Sequence, residues 1–216
     1  MLEKDKSLKV FHEPKPVMRA QAKLAYQYFR NDKINQNEKK IFEELYLTGR
    51  EEIFLNCARA GKRMVFVDSG SCFFAYIYMK LFPDAKFVHL YRHPAEFVRS
   101  GMRRKWYNSE KTSELNRITP LEETINWVNY SLIQKISWLW NETNSFIEEF
   151  TNKLKAGNIF KSNFNEWNFE NVKNLIMFLD IKIDDSKIKS SLSNKVNSQK
   201  DGNFSEYKKW TETDKA

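Results

Sequence analysis

Residues 86–105, KFVHLYRHPAEFVRSGMRRK, gather side chains that can hold a phosphate. An apolar run (Phe87, Val88, Leu90, Tyr91) ends in Arg92, and Pro94 then opens a segment with helical spacing. Ser100 and Arg104 lie four apart, one helical turn, so their side chains are neighbours. Arginine offers a planar fork that grips phosphate oxygens in pairs. The C-terminal edge of a strand is where ligands sit in open α/β sheets, and a helix start adds free N–H groups and a positive dipole end. Pro94 suits the first helical position, where no N–H is needed. Phe97, Val98, Gly101 and Met102 then share one side, with Glu96, Ser100, Arg103 and Arg104 on the other. On pattern alone, a phosphate clasp and an ordinary basic helix with solvated arginines fit equally well.

The elements that position this segment alternate. Val17, Ala20, Leu24 and Tyr28 share a face of a helix expected over 14–30. Residues 37–60 read as one or two helices with Ile41, Leu45, Ile53, Phe54 and Cys57 as core, Gly49 as a break and Gly61 as a C-cap. Met64 to Val67 is a buried strand, Ser69-Gly70-Ser71 a turn, Cys72 to Phe82 an aromatic-rich helix, and Lys86 to Tyr91 a second strand. Strand, helix, strand, helix at this spacing implies a right-handed parallel βαβ unit. Residues 106–118 read as a loop. Thr119-Pro120-Leu121-Glu122 forms a capping box for a helix running past Trp127, Tyr130 and Ile133 toward Leu154. Asn158 to Lys161 is a thin third strand. Asn168 caps a helix whose Val172, Leu175, Ile176 and Leu179 follow helical spacing, and the Asn-, Ser- and Lys-rich tail from 193 reads as loop.

Composition bounds the class. The 216 residues are 41% hydrophobic and 30% charged, enough for one globular domain over 1–216, with no linker, repeat or low-complexity tract. No apolar run approaches the roughly 20 residues of a membrane helix. Residues 1–10 lack a signal-peptide core; the compartment stays open, cytoplasmic if these residues are the whole protein. Cys57 and Cys72 give neither a disulfide framework nor a metal spacing, and His12, His89 and His93 have no cysteine beside them, so no metal is expected. The net charge of +8 suits an anionic ligand. No helix-turn-helix, RNA-recognition or zinc-finger pattern supports a nucleic-acid partner.

The stretch FPDAKFVHLYRHPAEFVRSGMRRK resembles the central segment of PAPS-dependent sulfotransferases, nearest the tyrosylprotein sulfotransferase branch. That family shows an FP-x-A/S-K-F strand, an Arg followed by Asp or Asn, a Ser eight residues after the Arg, and an Arg four beyond the Ser. Arg92, Ser100 and Arg104 match that spacing; His93 departs from it. Weaker likenesses run from His12-Glu13-Pro14, beside the family's catalytic glutamate, through Phe178-Leu179-Asp180-Ile181 to Lys195-Val196-Asn197 and Lys209-Trp210-Thr211.

The resemblance implies an α/β fold, a parallel sheet flanked by helices in the P-loop-nucleotide-hydrolase-like sulfotransferase architecture. It implies transfer of a sulfuryl group from 3′-phosphoadenosine 5′-phosphosulfate (PAPS) to a hydroxyl or amine on a protein, carbohydrate or small molecule. Arg92, Ser100 and Arg104, helped by Lys195, Asn197 and Lys209, would bind the nucleotide. Glu13 would be the base, with Asp68 as a second candidate; as plain alternatives, Glu13 is a solvated charge and Asp68 a turn-forming cap. The family also has a first strand and a glycine-rich loop that cradles the 5′-phosphosulfate, and none of the six glycines sits in such a loop. The segment therefore reads as a sulfotransferase lacking its first strand and that loop, with Val67 where the family often carries a lysine. The rival expectation is a non-catalytic relative that binds a nucleotide or a partner chain. A P-loop kinase remnant fits less well, because no Asp pair marks magnesium ligands.

Overall fold

In the computed structural model, residues 1–31, 35–108, 117–121, 126–155, 157–193 and 203–215 are described. Among them, strands β1 (Leu8–His12), β2 (Arg63–Val67), β3 (Phe87–Tyr91) and β4 (Ile159–Asn163) alternate with helices. The helices are α1 (Arg19–Arg30), α2 (Gln36–Arg59), α3 (Ala75–Leu81), α4 (Pro94–Arg103), α5 (Leu132–Thr151), α6 (Phe169–Leu179), α7 (Asp185–Ser193) and α8 (Glu212–Lys215). The chain divides into two compact units, Met1–Lys86 with Asn168–Asn194 and Phe87–Trp167 with Lys195–Ala216.

In the first unit β1 pairs in parallel with β2, from Leu8 opposite Arg63 to His12 opposite Val67. A parallel pair needs a long crossover, and α1 and α2 supply it. The sequence reading missed β1, a short strand whose Lys9 and His12 interrupt its apolar pattern. It also misjudged two helix faces. Prolines at 14 and 16 keep the chain out of helix until Arg19, so α1 buries Ala22, Ala25 and Tyr26 and leaves Val17 and Leu24 exposed. The second helix, α2, does not break at Gly49. It starts on an Asn35–Glu38 capping box and buries Phe42, Tyr46, Arg50 and Cys57, while Ile41 and Leu45 face solvent. Aromatic area decides this: Tyr46 packs 4.5 Å from Phe74, and Phe42 lies 5.1 Å from Tyr28. After β2, a 3-10 turn over Ser69–Phe74 runs into α3.

In the second unit β3 pairs in parallel with β4, from Phe87 opposite Ile159 to Tyr91 opposite Asn163. Thus β2 and β3 belong to separate two-stranded sheets, each with the next helix following its strand. The helix expected from residue 119 starts instead at Leu132, because Ser131 and Gln134 form its capping box; residues 127–129 are a 3-10 turn. Glu122, a member of the expected box, lies outside the described residues. The tail is not all loop: α7, a 3-10 turn at Tyr207–Lys209 and α8 are helical. The core here is Ala95, Val98, Ile136 and Trp210, with Phe97, Met102, Trp106 and Phe204 packed against it. No helix among the described residues is long and apolar enough to cross a membrane.

Candidate functional site

The β3–β4 register sets the frame. Tyr91 lies opposite Asn163, so Arg92 and Phe164-Asn165 leave the sheet at the same C-terminal edge. The Arg92 guanidinium stands 5.9 Å from the Phe164 ring centre. Its backbone carbonyl accepts a hydrogen bond from Trp140 Nε1 on α5 at 2.9 Å, which ties the strand end to the helix beside it.

The turn into α4 is fastened by His93. Its Nδ1 accepts the Ala95 N–H at 3.3 Å, and its own N–H donates to Asn165 Oδ1 at 3.4 Å. An N-cap acceptor is the service that Asp and Asn perform at this position. The ring must carry its proton on Nε2 to do it. Pro94 follows as the first helical residue, as its missing N–H allows.

Within α4, Glu96 Oε2 accepts from Arg92 Nε at 2.7 Å and lies 2.6 Å from Nη2. The Glu96 carboxyl is held below the usual carboxylate range, chiefly by a hydrogen bond from the Asn165 side chain and then by Arg92, with burial opposing. The two donors that Glu96 engages lie along one side of the guanidinium. The opposite edge, formed by Nη1 and the second N–H of Nη2, is not used by it.

Ser100 and Arg104 stand at the other end of the helix. Arg104 caps it, its N–H donating to Ser100 O at 3.2 Å, and its side chain is exposed, whereas Ser100 is half-buried. The structure thus carries Arg92, Ser100 and Arg104 on one β3–α4 unit. It pairs Ser100 with Arg104 by a single turn and Arg92 with Glu96. Arg99 and Arg103 flank them, and with Asn203, Phe204 and Ser205 they line an open cavity of about 460 Å³. Arg99 Nε donates to Phe204 O at 3.2 Å. Trp210, 7% exposed, anchors this tail segment in the α4 core, with its indole donating to Ser205 O at 2.9 Å; Lys209 beside it is exposed. Lys195 and Asn197 lie outside the described residues.

In the first unit the other two candidates also emerge at a strand edge. Glu13 and Asp68 directly follow the paired residues His12 and Val67. Glu13 N–H donates to Val67 O at 3.2 Å, its φ is +43°, and its carboxylate lies 3.8 Å from Arg19. Asp68 Oδ1 accepts the Gly70 N–H at 2.9 Å and so caps the turn that follows. Nearby, burial and then the Asp68 charge push the Cys72 thiol up to about 12, so it is protonated. His89 is buried inside β3 with Nε2 2.9 Å from Asn144 Oδ1, and burial holds its pKa below the usual value. Among the described residues no group of three His, Cys, Asp or Glu is placed to hold a metal ion.

The sulfotransferase-domain family model matches residues 57–176, more than half of the 216. The chain belongs to the sulfotransferase domain family. Comparison with curated proteins returned no match, and comparison with solved structures returned none. The matched span of this sulfotransferase runs from the end of α2 into α6 and contains Asp68, Arg92, Ser100 and Arg104. Glu13 and Lys209 lie outside it. Sulfuryl transfer is the general chemistry of the domain.

Three partners of the site were not singled out in the sequence: Glu96 as the residue that orients Arg92, Asn165, and Arg99. The first had a signal, since Arg92 and Glu96 are four apart. Arg99 had only a positional one: it lies four residues from Arg103, so the two cations share a helix face without pairing. Asn165 had none, because its approach depends on the β3–β4 register.

Proposed function

We propose that this sulfotransferase takes PAPS as its donor and passes the sulfuryl group to a hydroxyl or amine acceptor. The 3′-phosphate docks on the open edge of Arg92, with Ser100 and Arg104 completing the grip and Lys195, Asn197 and Lys209 contributing from the tail. One observation carries the reading. Arg92 leaves β3 at its C-terminal edge, oriented by Glu96 along one side, so its other edge is left to take two oxygens of a dianion.

Glu13 takes the acceptor proton as the acceptor oxygen or nitrogen bonds to sulfur. The bond from sulfur to the 5′-phosphate oxygen breaks, and adenosine 3′,5′-bisphosphate leaves. Charge that spreads over the sulfonate and the leaving phosphate calls for preorganised donors. The glycine-rich loop typical of the family would supply them, and the only described glycine that follows a strand toward a helix is Gly70. Its N–H is already taken by Asp68.

That occupied Gly70 donor, together with Val67 in place of a lysine, favours a second reading: a relative that binds the nucleotide without turning it over. Labelled donor separates the two, since only the first releases labelled, sulfated acceptor. Titration calorimetry with adenosine 3′,5′-bisphosphate tests what both share. Arg92→Ala leaves a dianion without its forked partner and should cost about 2–3 kcal/mol of binding. Unchanged affinity removes Arg92 from the site.

A further inference from the structure

We infer that Arg50 is the positioning residue for Glu13: its buried guanidinium holds the turn that aims the proposed base. The inference rests on the reading of Glu13 as that base. Arg50 lies on α2 and is 3% exposed, yet it carries a full charge. Its Nη1 donates to Pro16 O at 2.9 Å and to Pro14 O at 3.2 Å. These carbonyls bracket Lys15 and begin one residue after Glu13. Pro14 and Pro16 have no N–H, so the turn lacks two of the amides that would otherwise fasten it. One amino group of the guanidinium, donating to two carbonyls, closes the turn from outside instead.

The neighbouring packing supports the same role. The Met18 methyl stands 3.1 Å from where a Cβ on Gly49 would be, so α2 presses closely on the segment it holds. At the near end, the Glu13 N–H continues the β1–β2 ladder by donating to Val67 O. Between these two fastenings Glu13 sits at φ +43°, a conformation that a residue with a side chain keeps only when its surroundings impose it.

Stability alone does not account for this arginine. Among the described residues its partners are carbonyl oxygens and the Tyr46 phenol rather than a carboxylate, and its buried Nε has no hydrogen-bond partner there. An apolar side chain of similar volume would fill the space without that desolvation cost. What the guanidinium adds is a fixed path for residues 13–16.

The test compares Arg50→Met, Arg50→Lys and Glu13→Gln in the full chain, using amide hydrogen exchange, melting curves and donor turnover. In Arg50→Met, exchange of the Glu13 N–H should rise by about tenfold or more while the amides inside β1 stay protected. Turnover should fall about 100-fold in kcat, the scale of an ångström of misplacement, with KM for PAPS unchanged. Arg50→Lys, which keeps the charge and one donor to the carbonyls, should recover part of both effects; it also carries the test if Arg50→Met does not fold. A normal kcat in the Arg50 variants, with Glu13→Gln inactive, overturns the role of Arg50 alone. Full activity in Glu13→Gln, or no turnover by the wild type, overturns the base assignment and this inference with it.

Discussion

Glu96 grips Arg92 by one edge only: a single carboxylate oxygen takes Nε at 2.7 Å and stands 2.6 Å from Nη2. Both side chains are close to half exposed, so the pair itself adds little stability in water. Its effect is on direction. A long arginine at a strand end samples many rotamers, and a partner one turn along the next helix selects among them.

The Glu96 carboxyl lies below its ordinary 4.5 in the folded chain, so folding favours its charged form. That contribution is fully present above about pH 4.5 and is lost as pH falls through the lowered value. Glu96→Gln should therefore melt slightly below the wild type near neutral pH, by less than about 1 kcal/mol of stability. The gap should close as the solution is acidified below pH 4.5. Melting curves of both proteins across that range check it; a gap that widens toward acid contradicts the assignment.

His93 departs from the residue types usual at its position, yet does their work by accepting the Ala95 N–H. His93→Asp should keep the cap and the stability of the fold. His93→Ala should lose about 1 kcal/mol, the usual cost of removing an N-cap acceptor. Urea denaturation of the two variants reads the difference. Equal losses in both would mean the imidazole is needed for something other than capping.

How much of this was legible in the sequence depends on the kind of contact. The β3–turn–α4 segment was readable in full, because its signals are local: an apolar run, Pro94 at the first helical position and apolar residues at helical spacing. Asn168 and the face of α6 were readable for the same reason. Strand β1 was not, since a short strand with charged residues has too little pattern and owes its existence to β2. The buried face of α2 was misread because Phe42 and Tyr46 compete with Ile41 and Leu45 for the same core, and only tertiary aromatic contacts decide. At the candidate site the residue types were visible, but their pairing was not. The pattern leaves Arg92 open to a phosphate or to solvent, and its capture by Glu96 follows from side-chain geometry that spacing permits without requiring.

In the tail, Lys209 and Trp210 should separate cleanly. The indole of Trp210 is buried against Phe204 and Tyr207, with ring centres 5.5 and 5.2 Å away, so Trp210→Ala should cost about 3–5 kcal/mol. Lys209 is exposed, and Lys209→Ala should leave the melting temperature where it is while weakening bisphosphate binding several-fold. Calorimetry and melting on the two variants check both halves. A Lys209→Ala protein that binds as the wild type does makes that lysine an ordinary surface charge.

Gly101 measures how tightly the α4 face opposite the arginines is packed. A Cβ there would stand 2.7 Å from Trp106 Cε3 and 2.8 Å from Ile136 Cγ2, closer than carbon atoms approach without something moving. Alanine favours helix by about 1 kcal/mol over glycine, but overpacking a filled core costs about 1–3 kcal/mol. The Ile136 contact is the stiffer one, because that side chain is fully buried and β-branched. Gly101→Ala should therefore be destabilising by about 1–2 kcal/mol, read as a lower denaturation midpoint at an unchanged slope. Because Ser100 precedes this glycine and Arg104 lies one turn on, a helix pushed off α5 would carry both away from Arg92, and bisphosphate affinity should fall along with stability. A Gly101→Ala protein that is more stable than the wild type would mean that Trp106 swings clear at no cost and that α4 is held by less than the packing implies.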